Sequence, residues 1–297
     1  MIIQFIHPGH EHTPVTGVHW NNGEHRRKYL QVTGQYLENL DMHPQNDLLY
    51  FWGEWEAQSL VTTIAGNQLH MPQFVFQPYY QLPHGYANTD PFIFGNQFNY
   101  CFCKQPHYPT LRELNRGDII LFGSCQQKKF VLDTIFVVKD WLDYGISEIN
   151  TLNYDDAFFQ VSLMPISNAF NVERFAQQKA IISNENFCVP ICGDDEDDNL
   201  PTDEPKKYRI YLAAMYEDRE DFNGIFSYAP CLPQKNKGQN GFARPPVTLD
   251  VITDNLTQGI RISHINNSEE IWKNITKQVI KDGLCLLVSS ELPNEKA

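Results

Sequence analysis

No apolar run in this 297-residue chain approaches the roughly 18 to 20 residues that a membrane-spanning helix needs. Positive charge is also scarce: 23 Lys plus Arg stand against 36 Asp plus Glu, for a net charge of -13. A field of that sign repels phosphate chains, which excludes unspecific duplex binding and makes any nucleic-acid contact local. The opening Met1 to Ile6 lacks a basic n-region and breaks at His7-Pro8, so no signal peptide is predicted and a cytoplasmic location is expected. Seven cysteines is an odd count. Neither close pair, Cys101 with Cys103 or Cys188 with Cys192, has a second pair to complete a zinc site, and all are read as reduced thiols. There is no P-loop, no dinucleotide fingerprint, no G-x-S-x-G elbow and no kinase signature. The commonest enzyme classes are thereby removed.

What the chain does have is core material: 42% hydrophobic and 13% aromatic residues, enough for one large domain or two ordinary ones. A strand is predicted at about 2–6, followed by a His- and Gly-rich loop from His7 to Gly23. From Glu24 to Leu40 the residues Tyr29, Val32, Tyr36, Leu37 and Leu40 recur at helical spacing and predict a helix, with Gly34 against it. Leu48 to Glu56 is aromatic and β-prone. Met71 to Gln105 is rich in proline and aromatics and leaves room only for short strands. Thr110 to Glu113 has a capping-box pattern opening one helical turn that Gly117 closes. Ile119 to Phe122 and Phe130 to Val138 then read as a hairpin joined through Ser124 to Lys129. The run from Gly193 to Pro205, with seven acidic side chains, reads as a solvated loop. A strand at Tyr208 to Met215, a helix capped by Ser268 and stopped by Gly283, and a strand at Leu284 to Val288 complete the pattern.

The stretch Leu111-Arg-Glu-Leu-Asn-Arg-Gly-Asp-Ile-Ile-Leu-Phe-Gly-Ser124, with Lys129-Phe-Val-Leu-Asp-Thr-Ile-Phe-Val-Val138, resembles the PUA-like superfamily of EVE, ASCH and YTH-type domains. Those domains share a helical turn, a Gly-Asp step, an apolar strand and a valine-rich returning strand. The resemblance covers roughly a tenth of the chain. It implies an α+β fold built on a small, strongly bent β-barrel with flanking helices, whose pocket holds a base or modified base. The expected organisation is a PUA-like barrel domain at 1–150 and an integrated C-terminal α/β extension at 151–297 packed on it. The setting it suggests is prokaryotic defence or nucleic-acid modification.

Several residues stand out as chemistry. As a strand, 48–56 places Tyr50, Trp52, Glu54 and Glu56 on one face and Leu49, Phe51, Gly53 and Trp55 on the other. Indoles beside carboxylates can stack on a base and accept its N–H groups; the alternative is a strand leaving the core at Glu54 with solvated carboxylates. Arg26, Arg27 and Lys28 open the predicted helix, where cations are unfavourable unless an anion such as phosphate joins them; neutralisation by Glu24 and surface acids is the plainer account. His7, His10, Glu11, His12 and His19 crowd one loop. They suit a divalent metal or a general acid and base, although their spacing matches no helix-borne ligand pair. Asp133, inside an apolar strand, needs a partner such as backbone or Arg116, or else is a pocket carboxylate. Arg244, stiffened by Pro245 and Pro246, suits phosphate or carboxylate.

The expected function is an intracellular binding module for a nucleotide or an unstacked, single-stranded or flipped base. Arg26, Arg27, Lys28 and Arg244 would hold anionic groups, Trp52 and Trp55 would stack, and Glu54 or Asp133 would read polar edges. Two alternatives stay open: a metal-dependent nucleotide or nucleic-acid hydrolase using His7, His10, His12, Glu54 and Glu56, and a protein-interaction subunit without a small ligand.

Overall fold

The computed structural model describes residues 1–14, 26–64, 69–82, 87–170, 207–254, 259–264 and 267–296. The acidic run 193–205, His19, Cys188 and Cys192 lie outside them. The protein is mixed α+β, mostly sheet, with few helices. Its strands, numbered along the chain, form two sheets. In the first, the order is β11 (Gly259–Ser263), β1 (Ile2–His7), β7 (Ile119–Gln126), β8 (Lys129–Tyr144), β9 (Tyr208–Ala213) and β6 (Asn99–Tyr100). In the second it is β12 (Cys285–Ser290), β10 (Ala229–Pro233), β3 (Gln45–Gly53), β2 (Lys28–Leu37), β5 (Phe74–Tyr80) and β13 (Asn294–Glu295), with β4 (Ser59–Thr63) against β5. β12 pairs with β2 as well as β10, so β2, β3, β10 and β12 close a small four-stranded barrel.

Closure depends on Gly34. A Cβ there would lie 2.4 Å from the Ser289 carbonyl oxygen, at the bulge where β12 shifts register against β2. Both sheets draw strands from both ends of the chain: β11 pairs with β1, and β10 and β12 pair with β3 and β2. The hairpin that carries the family resemblance is β7–β8, which lies in the six-stranded sheet outside the closed ring.

The helix expected over 24–40 is corrected: Lys28–Leu37 is a strand, paired antiparallel with β3 from Lys28 opposite Gly53 to Tyr36 opposite Gln45. Leu30, Val32, Gly34 and Tyr36 are buried while Thr33 is exposed and Gln31 and Gln35 are intermediate, which is the period of two. The apolar residues on β2 and β3 divide between two cores. Leu30, Val32, Leu49 and Phe51 enter one, joined by Trp55 just beyond β3, and Tyr29, Leu37, Tyr50 and Trp52 the other. The alternation expected along 48–56 is observed, but the strand ends at Gly53 and both faces are covered.

Other expected elements form with adjusted bounds. The 110–113 turn is a 3-10 helix, Pro109–Arg112, without the side-chain cap its pattern suggested. The hairpin turn shortens to Gln127-Lys128, both at positive φ. The C-terminal helix, Ser268–Lys281, is capped by the Asn267 side chain, which accepts from the Glu270 N–H, and Gly283 follows at φ 79°. The five described cysteines, Cys101, Cys103, Cys125, Cys231 and Cys285, are free thiols. Among the described residues no helix is long and apolar enough to cross a membrane.

Candidate functional site

At one end of the molecule the C-terminal end of β1, the start of β2, the end of β3 and a kink in β8 come together, and each delivers a polar side chain. The kink has a definite cause. Phe122 pairs with Thr134 but Gly123 pairs with Leu132, so Asp133 is the extra residue of a β-bulge and its side chain is re-aimed. Gly123 permits this, since a Cβ would meet the Val131 carbonyl oxygen at 2.2 Å. Asp133 is thereby directed to a buried guanidinium, Arg244, whose Nη1 lies 3.2 Å from both carboxylate oxygens.

Arg244 is placed by the segment that holds it. Leu132 donates to the Pro245 carbonyl and Val247 to the Phe130 carbonyl, laying residues 245–247 along β8. Its Nη1 also donates to Ser124 Oγ at 2.8 Å, its Nη2 to the Gly9 carbonyl at 2.9 Å, and its guanidinium lies 5.6 Å from the Trp52 ring centre. The expectation of Arg116 as a partner for Asp133 is corrected: Arg116 stacks over Phe222 at 4.3 Å.

A second group faces the first. Arg27 donates to Glu54 Oε2 and lies 4.0 Å from Asp133, so Glu54, Arg27, Asp133 and Arg244 form a chain of alternating charge. Lys28 donates to the Trp55 carbonyl oxygen. The antiparallel register of β2 and β3 brings this run beside Glu54 and Trp55. Glu54 and Glu56 are 3% and 0% exposed, so the solvated alternative for these carboxylates does not hold. Trp52 and Trp55 are equally buried, their indole N–H groups donating to the Phe242 carbonyl at 2.8 Å and the Gln58 carbonyl at 2.7 Å.

Burial and charge compete at every group. Burial alone would lower the Arg27 guanidinium, but Glu54 and Asp133 beside it raise it. Burial pushes the Lys28 ammonium and the Arg244 guanidinium down, opposed by Glu56 and Glu54 in the first case and Asp133 in the second. Burial likewise pushes the Asp133 carboxyl up against the pull of Arg244 and Arg27.

The histidine loop is laid against this cluster by backbone bonds. Arg27 N–H donates to the His10 carbonyl and His12 N–H to the Arg27 carbonyl, and Glu11 accepts from the Gln73 and Phe74 N–H groups. Glu11 is pushed by burial up to about 7, and burial with Lys28 and Arg26 nearby pushes His12 down to about 4. His10 is exposed, whereas His7 is buried between Phe5, 4.6 Å away, and Phe122, 6.0 Å away and nearly parallel. His7 Nδ1 lies 3.8 Å from Glu54 Oε2. Among the described residues no group of three or more His, Cys, Asp or Glu side chains is arranged to hold a metal ion.

The structure therefore brings together His7, Arg27, Lys28, Glu54, Glu56, Asp133 and Arg244. Arg26 is half-buried at the edge of the cluster. Sequence reasoning missed Ser124, which meets Arg244, and Cys103, whose Sγ lies 3.9 Å from His7 Nε2. It also missed Asp90, which accepts from the N–H groups of Cys101, Phe102 and Cys103 and which burial nonetheless pushes up to about 7. The signal for Asp90 was a carboxylate in an otherwise apolar stretch, Asp90-Pro-Phe-Ile-Phe94. A cleft of about 740 Å3 opens elsewhere, lined by Thr33, Gln35, Asn46, Gln97, Ser290 and Glu291 among others, and none of the candidate residues borders it.

Comparison of the chain with protein-family models, curated proteins and solved structures gives no match.

Proposed function

We propose that the chain binds a nucleotide or an unstacked nucleobase at the cluster formed by Arg27, Glu54, Asp133 and Arg244. The observation that carries this reading is the alternation itself: fixed guanidinium donors and fixed carboxylate acceptors, buried side by side at the end of two sheets. Burying such charges costs several kcal/mol per ion, and well-packed apolar residues of similar volume often serve a fold as well or better. A ligand that uses the charges gives a reason to keep them.

The balance of charge defines which part of the ligand is recognised. Arg27, Lys28 and Arg244 are matched by Glu54, Glu56 and Asp133, so the cluster offers no surplus cation for a polyphosphate. Mixed donors and acceptors of this kind suit the polar edge of a base. The stacking expected of Trp52 and Trp55 is not part of this reading, because both indoles are committed to the interior.

The test is mass spectrometry of small molecules released on denaturing the purified protein, followed by calorimetry with the nucleoside or nucleotide found. Asp133→Asn should weaken binding at least tenfold. Equal affinity in wild type and Asp133→Asn, or the absence of any nucleoside or nucleotide in the released material and of binding at millimolar concentration, overturns the reading.

A further inference from the structure

We propose that Cys103, His7 and Glu54 form a nucleophilic relay and that the chain transfers an acyl group from an ester or amide through a thioester on Cys103. The relay goes beyond ligand binding and does not require the substrate to be a nucleotide.

The geometry has the order that nucleophilic catalysis demands. Cys103 Sγ lies 3.9 Å from His7 Nε2, and on the opposite side of the ring Nδ1 lies 3.8 Å from Glu54 Oε2. The negative charge of Glu54 3.8 Å from Nδ1, beyond hydrogen-bond distance, favours the proton on that nitrogen, the tautomer in which Nε2 can accept from the thiol. Separations of this size are loose for hydrogen bonds, as is common before a substrate closes the site. The three residues come from the end of β1, the residue after β3 and the loop after β6, so no single helix or strand pairing requires them to meet.

Each member is held from behind. The imidazole plane is set by Phe5 and Phe122. Glu54 is gripped by Arg27. Cys103 is pinned on both sides of its α-carbon: its N–H donates to Asp90 Oδ2 at 2.6 Å and its carbonyl accepts from the Tyr100 hydroxyl at 2.6 Å. The next residue, Lys104, sits at φ 64°, a left-handed conformation uncommon for a residue other than glycine. Cys125, half-buried where Cys103 is buried, donates to the Asp254 carbonyl at 2.9 Å.

The step balances without any additional reagent except water. His7 Nε2 removes the Sγ proton as the sulfur pair forms a bond to the carbonyl carbon. Collapse of the adduct breaks the carbon–oxygen or carbon–nitrogen bond, and the leaving group takes the proton from Nε2. Water, deprotonated by the same nitrogen, then attacks the thioester, releases the carboxylic acid and restores the thiol. Cys103 and His7 are catalytic residues in this scheme, and Glu54 is a positioning residue.

Iodoacetamide alkylation of the native full-length protein tests the relay, with each cysteine followed by peptide mass mapping from about pH 5.5 to 9. Accessibility alone favours Cys125, which is intermediate in exposure where Cys103 is buried. The relay predicts the reverse: Cys103 reacts at least tenfold faster than Cys125, its rate levels off by about pH 7, and His7→Asn slows it at least tenfold while leaving Cys125 unchanged. Glu54→Gln should shift the midpoint of the Cys103 profile. Should His7→Asn not fold, the wild-type profile decides. A Cys103 that stays unmodified while Cys125 reacts, a rate still climbing at pH 9 like that of an ordinary thiol of pKa about 8.5, or equal rates in wild type and His7→Asn would overturn the proposal.

Discussion

Asp133 shows how a single residue can be read correctly as unusual and still conceal its partner. A carboxylate inside Phe130 to Val138 announces a buried charge that needs compensation, and the compensation arrives from residue 244, on a segment that no local pattern ties to it. Proximity in sequence suggested Arg116; a bulge permitted by Gly123 decided otherwise. Removing one partner leaves the other charge buried. Asp133→Leu should therefore lower stability by about 3 to 5 kcal/mol in urea unfolding. The double variant Asp133→Leu with Arg244→Met should recover most of that loss, because both charges leave together. Equal losses in single and double variants would contradict the pairing. Cys103 lay outside any sequence signal for the same reason: its neighbour His7 is 96 residues away, and only the sheet brings them together.

At the scale of elements, strands with strong local grammar were legible and β2 was not. The β7–β8 hairpin and the C-terminal helix carry their own start and stop signals, and both form close to where those signals place them. β2 does not. Because Tyr29 and Leu37 enter one core while Leu30, Val32 and Tyr36 enter another, its apolar residues mimic a helical repeat when each is counted on a single face. Pairing with β3, β5 and β12 overrides that local pattern. The hairpin offers a direct test of turn chemistry, since Gln127 and Lys128 occupy left-handed positions at φ 48° and 59°. Replacing them with Asn and Gly, residues at ease there, should stabilise the protein by about 0.5 to 1 kcal/mol in chemical denaturation. Gly34→Val should act in the opposite direction, because the branched side chain has no room against Ser289 where the barrel closes.

The whole molecule is tied together by strands from its two ends. β11 completes the sheet at β1, β9 pairs with β8, and β10 and β12 complete the barrel with β2 and β3, so a fragment ending at residue 150 would lack β9 to β13, five described strands that pair with strands inside it. The full chain should melt in one cooperative transition, and the 1–150 fragment should show no such transition by circular dichroism. Response to pH also belongs to the whole. Asp90 and Glu11 are both pushed up to about 7, so from about pH 4 to 7 the folded chain keeps protons that the unfolded chain releases, and their contribution to stability falls as pH rises. His12, pushed down to about 4, opposes this below about pH 6.5, where the unfolded imidazole binds a proton that the folded one refuses. Asp90→Asn should therefore flatten the decline in melting temperature between about pH 5 and 7.5. A wild-type slope unchanged in that variant would remove Asp90 from the account.

Closing β12 onto β2 also governs what the molecule offers to other chains. A ring has no open margin, and among the described residues β6 and β13 are only two residues long, too short to template a foreign strand. Among the described residues the margins left for β-augmentation are those of β4, where Leu60 faces solvent, and β11. Unwanted self-assembly of the native protein should begin there, and a lysine in place of Leu60 should suppress it.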